Sequence, residues 1–173
     1  QPVAENTPLP PASSAPDKTA VVQPVATPVG PVVGPAVAGN GITISQNTFT
    51  NNFPKQLLFQ IDAESKAKIT QLALIVAIDG QASSSRQVPD FTSDTKVQAT
   101  YEWNLGRAYI PPGVTGQFWW TVQDSDGGQL QTPKQSFRVD DPAHAWKKIA
   151  NDQLALYWYA GGGVWLVLEW GRD

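Results

Sequence analysis

Residues 69–79 read ITQLALIVAID, and this stretch determines the fold class of the chain. Every second position is apolar, so one face of the segment carries four aliphatic residues, namely Leu72, Leu74, Val76 and Ile78. Apolar residues with a period of two are typical of a β-strand that is buried on one side. The turn dipeptide Asp79-Gly80 follows directly, so we predict that the strand ends there.

The same period recurs on both sides of this segment. It is present in KQLLFQID (55–62), VQATYEW (97–103) and QFWWTVQD (117–124). Shorter strands are predicted at 42–44, 129–139 and 154–159, and Pro133 marks an edge or a break in the second of these. About six or seven short strands at intervals of roughly ten residues predict an all-β protein, an Ig- or fibronectin-III-like antiparallel β-sandwich. Asp141-Pro142 before AHAWKKIAND predicts one short helix.

The N-terminal 40 residues have a different composition, dominated by Pro, Val, Ala, Thr and Gly, with large aromatic residues absent. Proline lacks an amide donor, so we predict a disordered Pro-rich linker over 1–40, with a docking motif at PLPPAS (8–13) as the alternative. The predicted β-sandwich domain spans 41–161, and an atypical apolar tail spans 162–173. The first residue is Gln rather than Met, so either a signal peptide has been removed or the chain has been trimmed in another way; from the first explanation we expect a secreted or cell-surface location.

Composition excludes several classes of function. The chain of 173 residues has no Cys and one His, so a disulfide framework, a thiolate zinc site and a cysteine nucleophile are excluded. His144 has neither an HExxH motif nor a second His beside it, and we interpret it as a surface or packing residue. The net charge is −3 and no basic patch is present, so nucleic acid is not an expected partner. We predict no catalytic residue, no cofactor, no metal and no membrane span.

The DSDGG segment (124–128) resembles half of a calcium loop, but the DxDxDG spacing is broken and the distal Glu is missing. We therefore predict a hairpin loop in which Asp side chains accept hydrogen bonds from nearby backbone amides.

Tryptophan is the most unusual component of this sequence. Trp119 and Trp120 are adjacent, so they must point to opposite faces of a strand, although the sequence leaves open which one faces outward. The predicted interaction surface comprises Trp119, Trp158, Trp165 and Trp170. The tail GGGVWLVLEW (161–170) is apolar on both faces, and we expect it to add a strand to the sandwich or to mediate self-association.

Residues 109–141, YIPPGVTGQFWWTVQDSDGGQLQTPKQSFRVDD, carry a family resemblance. They resemble the region before the protease domain in the peptidase MA-like family of exported bacterial metallohydrolases. The shared features are a Y-x-P-P-G turn, a Y/F-W-W strand, a D-x-x-G loop and a T-x-x-x-x-F strand, followed by a Trp and an L-x-W-Y strand. In this chain they fall on Tyr109, Pro111, Pro112, Gly113, Phe118, Trp119, Trp120, Asp124, Gly127, Thr132, Phe137, Trp146, Leu156, Trp158 and Tyr159.

The resemblance covers roughly residues 41–161 and implies a non-catalytic module beside a zinc peptidase domain. The HExxH motif of that catalytic domain is missing from this chain, so the resemblance assigns no catalytic or zinc-binding residue here. We expect an extracellular module that supports or orients the neighbouring metallopeptidase domain or mediates protein interaction. The alternatives are a carbohydrate- or cell-wall-binding module that uses exposed Trp, and a truncated fragment of a zinc metallopeptidase.

Overall fold

The computed structural model describes residues 23–24, 30–150, 155–159 and 164–167. Within these ranges the chain is all-β and contains no helix. The strands, in chain order, are β1 (Gln23–Pro24), β2 (Val32–Val33), β3 (Val37–Gly39), β4 (Ile42–Asn52), β5 (Gln56–Ser65), β6 (Ile69–Ile78), β7 (Ser85–Gln87), β8 (Lys96–Asn104), β9 (Thr115–Asp124), β10 (Gln129–Gln131), β11 (Gln135–Arg138), β12 (Lys147–Ala150), β13 (Ala155–Trp158) and β14 (Val164–Val167).

Two antiparallel sheets pack face to face, which confirms the predicted all-β sandwich. The first sheet has the order β2-β4-β5-β8, with β3 also paired to β4. The second sheet has the order β10-β9-β6-β7, with β11 also paired to β9. The break predicted at Pro133 is confirmed, because β10 ends at Gln131 and β11 begins at Gln135 along the same neighbour.

The core lies between these sheets and is built from the alternating positions found in the sequence. The buried residues on β5, β6, β8 and β9 include Leu57, Phe59, Ile61, Leu72, Leu74, Val76, Val97, Ala99, Phe118, Trp120 and Val122. Four phenylalanines form its centre, with ring centroids 5.1–6.3 Å apart, namely Phe49, Phe59, Phe118 and Phe137. Ile78 is only partly buried, because it is the last residue of β6.

Strands β2 and β3 lie inside the segment that we expected to be a disordered linker, before the predicted boundary at residue 41. Val32 pairs with Phe49, and Val37 pairs with Ile44, so both strands extend the first sheet. Asn40 and Gly41 have φ values of 52° and 82°, the positive angles that a two-residue hairpin turn requires. The prolines did not prevent this pairing because they stand between the short strands. Residues 1–22 and 25–29 of the predicted linker lie outside the described residues.

The short helix predicted after Asp141 is also wrong. The cap itself forms, since Asp141 Oδ1 accepts a hydrogen bond from the Ala143 amide at 2.9 Å, but only a turn follows it. Residues 147–150 pair instead with β13, in a third sheet of order β1-β12-β13-β14. A helix of two turns is marginal by itself, so antiparallel pairing with a following aromatic strand prevails over the local capping signal.

The tail forms a strand, as expected, but not as part of the sandwich. Val164–Val167 pairs with β13 and lies at the end of the third sheet. Residues 160–163 and 168–173 lie outside the described residues. Among the described residues, no helix is long and apolar enough to cross a membrane.

Candidate functional site

The two adjacent tryptophans of β9 point to opposite sides of the second sheet. Trp120 is 0% exposed and fills the space between the sheets. Trp119 is half-buried on the outer side of the sheet. Side chains alternate between the faces of a strand, so anchoring Trp120 in the core places Trp119 outside. Trp119 is therefore the outward member of the pair, which answers the question left open by the sequence.

The ammonium group of Lys134 lies over the indole of Trp119, with Nζ 4.6 Å from the ring centroid. Lys134 is exposed and belongs to the break between β10 and β11, directly after Pro133. The break therefore positions this cation beside the tryptophan. A cation–π contact at an exposed site contributes about 0.5–1 kcal/mol, so a ligand could displace Lys134 at small cost.

The strand register determines which side chains share the outer face with Trp119. Ile75 lies opposite both Trp119 on β9 and Arg86 on β7, so these three residues form one row across the sheet. Two further rows continue toward the β9–β10 hairpin and are rich in glutamine. We call this surface the Trp119 face, and it comprises Gln71, Ala73, Ile75, Arg86, Trp119, Thr121, Gln123, Gln129, Gln131 and Lys134.

An open groove of about 470 Å³ overlaps the part of the Trp119 face next to Trp119 itself, and Leu72, Val122 and Leu130 supply its apolar lining. Its polar lining consists of Asn40, Gln71, Arg86, Thr121, Gln123, Gln129 and Gln131. Asn40 Nδ2 donates a hydrogen bond to the Gln129 carbonyl at 2.8 Å, which ties the β3–β4 turn to the groove. Amide side chains both donate and accept hydrogen bonds, so this lining suits a ligand with many hydroxyl groups.

A second polar cluster lies where β11 leads into the third sheet. Asp141 Oδ2 is 2.6 Å from His144 Nδ1, and the His144 ring packs at a tilt of 37° against Tyr159, with centroids 4.1 Å apart. Trp146 packs edge-on against the same tyrosine, with centroids 4.8 Å apart. These contacts confirm that His144 is a surface and packing residue, here one that joins the end of the sandwich to the strand after it.

Burial shifts the pKa of two groups near this cluster. Burial raises the pKa of Tyr109, and the charges of Asp141 and Tyr159 raise it further. Burial also raises the pKa of Asp140, against the opposing effect of the Arg138 guanidinium, whose Nε lies 2.8 Å from Asp140 Oδ1. Within the part of the chain that the structure describes, no group of three or more His, Cys, Asp or Glu side chains could hold a metal ion.

The Asp124 loop has the structure that the sequence predicts. Asp124 Oδ1 accepts hydrogen bonds from the backbone amides of Asp126 and Gly128, at 3.1 and 2.7 Å. Its Oδ2 accepts a 2.8 Å hydrogen bond from the Ser65 hydroxyl. The Ser65 hydroxyl and then the two amides hold the pKa of Asp124 below its ordinary value, although burial opposes them. The carboxylate is thus engaged in closing the hairpin.

The interaction surface of four tryptophans stays a prediction, and three of its members lie on two different sheets. Trp158 on β13 is half-buried and lies opposite Val164, whereas Trp165 on β14 lies opposite Tyr157. Trp119 belongs to the second sheet, and Trp170 lies outside the described residues.

Sequence reasoning missed Arg86, Lys134 and the glutamine rows. The alternation in QFWWTVQD could have grouped Gln117, Trp119, Thr121 and Gln123 on one face. The cations could not be added to that group, because their placement depends on which strands pair and in what register.

No known family model matches the sequence, and no curated protein is significantly similar to it. The comparisons therefore do not link the chain to the peptidase MA-like family, and that resemblance stays a prediction.

Proposed function

We propose that this chain is a non-catalytic interaction module and that the Trp119 face contacts its partner. The observation that carries the proposal is the half-buried Trp119 beside an open polar groove, on the outside of a sheet that Trp120 anchors from within. Aromatic side chains are enriched in contact surfaces because they bury a large area at little cost in conformational entropy.

An Ig- or fibronectin-III-like relationship is part of this proposal. In immunoglobulin sandwiches the first, second and fifth strands share one sheet, and the third, sixth and seventh share the other. The order β4-β5-β8 and the order β6-β9 followed by β10 and β11 correspond to these two sets. Such sandwiches are frequent in extracellular proteins, so the proposal includes a secreted or cell-surface location and a role in supporting an adjoining metallopeptidase domain.

A second candidate function is carbohydrate binding. It is favoured by the rows of Gln71, Gln123 and Gln129 beside a tryptophan, because sugars present many hydroxyl groups and flat apolar ring faces. A protein partner would fit a more apolar surface around Trp119 better, since the centres of protein interfaces are depleted of polar residues.

Co-sedimentation of the purified chain with isolated bacterial envelopes tests the proposed function. We expect Trp119→Ala to lower the bound fraction at least tenfold and Trp119→Tyr to retain most of it, because tyrosine keeps an aromatic face. Gln60→Ala is the matched control on the exposed side of the first sheet. Equal binding of the parent and Trp119→Ala, or no binding by either, would refute the role of this face.

A further inference from the structure

We propose that the Trp119 face binds an acidic polysaccharide, a sugar chain that carries carboxylate groups. This inference rests on the proposed function, because it assigns a ligand class to the same face. It is carried by three features of that face: an outward indole, an amide-lined groove and two cations.

The charge of the face differs from that of the protein. The chain has a net charge of −3, yet the ionisable members of the Trp119 face are Arg86 and Lys134, both cations. A guanidinium group can form two parallel hydrogen bonds with a carboxylate, and an ammonium group acts as a point charge. Charge complementarity therefore favours an anionic ligand over a neutral one.

One cation lies over the tryptophan ring and the other lies two strands away from it. Arg86 and Trp119 both lie opposite Ile75, so their Cα atoms are separated by two strand spacings, roughly 10 Å. Lys134 lies over the indole itself. A sugar ring stacked on Trp119 would thus have one cation at the stacking site and another across the sheet, which suits a chain with repeated carboxylates.

The groove favours a polysaccharide over other polyanions. Thr121, Gln123, Gln129 and Gln131 line it with uncharged groups that both donate and accept hydrogen bonds. Sugar hydroxyls also donate and accept, so they can satisfy these amides together. The side-chain carboxylates of an acidic peptide accept hydrogen bonds without donating them. A polymer of phosphates carries closely spaced negative charges, and more than two cations would be needed to neutralise them.

Affinity electrophoresis of the full chain tests the inference, with polygalacturonate, alginate and hyaluronan as probes. Each probe is run beside its carboxyl-reduced form, which keeps the sugar backbone but removes the charge. We expect at least one acidic polymer to retard the chain at least tenfold more strongly than its reduced form. The retardation should weaken several-fold between about 50 and 500 mM NaCl, because salt screens exposed charges.

Single substitutions test whether the Trp119 face is the surface that binds the polysaccharide. We expect Trp119→Ala and Arg86→Gln each to weaken the retardation at least tenfold, and Lys134→Gln to weaken it about threefold. Lys96→Gln removes an exposed cation of the first sheet, one that pairs with Glu64 at 3.1 Å, and should leave it unchanged. Thermal unfolding of each variant verifies folding, and Arg86→Gln keeps the test valid if Trp119→Ala is unstable.

Several results would overturn the inference. Equal retardation by the carboxyl-reduced polymers would indicate a neutral sugar, and equal retardation by polyglutamate or single-stranded DNA would indicate unspecific attraction of anions. No retardation by any acidic polysaccharide would also overturn it. In that case, Trp119-dependent binding to envelopes would still support the proposed function, so the two failures can be told apart.

Discussion

At the scale of single residues, neighbouring side chains with the same chemistry have different roles. Trp120 N–H and C=O both bond to Thr132, and its indole is fully enclosed by the core. Trp119 contacts Lys134 and remains accessible at the surface. One tryptophan therefore stabilises the sandwich, and the other is available for a ligand.

Replacing each tryptophan separates these roles. We expect Trp120→Ala to lower the free energy of unfolding by about 3–5 kcal/mol, the cost of emptying a large buried site. Trp119→Ala should cost less than Trp120→Ala, because the Trp119 indole is only half-buried and its contact with Lys134 contributes about 0.5–1 kcal/mol. Urea unfolding monitored by circular dichroism measures both, and similar losses for the two variants would contradict this assignment.

Asp124 gives the stability of the domain a defined dependence on pH. Its pKa in the folded chain lies below the ordinary value of 3.8, so its contribution is present above 3.8 and is lost as the pH falls through the folded pKa. We expect Asp124→Asn to be less stable than the parent near pH 7, with the difference disappearing in acid. Thermal unfolding from pH 7 to pH 2 measures this, and Asp126→Asn controls for the loss of one charge in the same loop. A difference that persists unchanged at pH 2 would contradict the prediction.

At the scale of elements, the Thr132 side chain supplies a hydrogen bond to β9 next to the break at Pro133. The Thr132 hydroxyl accepts a hydrogen bond of 2.9 Å from the Trp120 amide, and both groups are buried. Thr132→Val keeps the shape but leaves that amide unpaired, which should cost about 1–3 kcal/mol. Thr121→Val, on the outer face of β9, is the matched control. Chemical denaturation measures the free energy of unfolding of both variants. Equal losses would show that the buried Thr132 hydroxyl contributes no more to stability than the Thr121 hydroxyl on the outer face.

The β3–β4 hairpin makes the segment before Gly41 part of the sandwich. A chain that begins at Gly41 loses β2 and β3, which leaves one edge of β4 unpaired beside the buried Ile42 and Ile44. We expect it to melt at a lower temperature than a chain that begins at Gly30. Differential scanning calorimetry of the two truncations measures the contribution, and identical melting temperatures would restore the boundary predicted from the sequence.

At the scale of the whole molecule, the chain continues from the sandwich into a separate sheet that ends at β14. Truncation after Gly161 removes β14 and leaves the outer edge of β13 unpaired. An unpaired apolar edge promotes association, so we expect the truncated chain to sediment as larger species and to be less soluble than the full chain. A chain ending after Val167 keeps β14 and serves as the control. Unchanged sedimentation, solubility and melting temperature after truncation at Gly161 would contradict this.

The sequence alone determined the strands of the sandwich and the loop chemistry, since both depend on local order. Alternation in residues 55–62, 69–79, 97–103 and 117–124 predicted strands and inward faces that the structure contains. The hairpin loop at Asp124 was predictable for the same reason, because its hydrogen bonds from the Asp126 and Gly128 amides span two and four residues, whereas the bond from Ser65 was not predicted.

Tertiary structure decided what depends on distant partners. The short strands β2 and β3 joined the first sheet because β4 offered a free edge, and the segment after Asp141 became a strand because β13 paired with it. The Trp119 face required strand register, which brings Arg86 into one row with a tryptophan that lies 33 positions further along the chain. The intrinsic preferences of residues for a β-strand differ by only about 1 kcal/mol, so burial and pairing between remote segments determine these features.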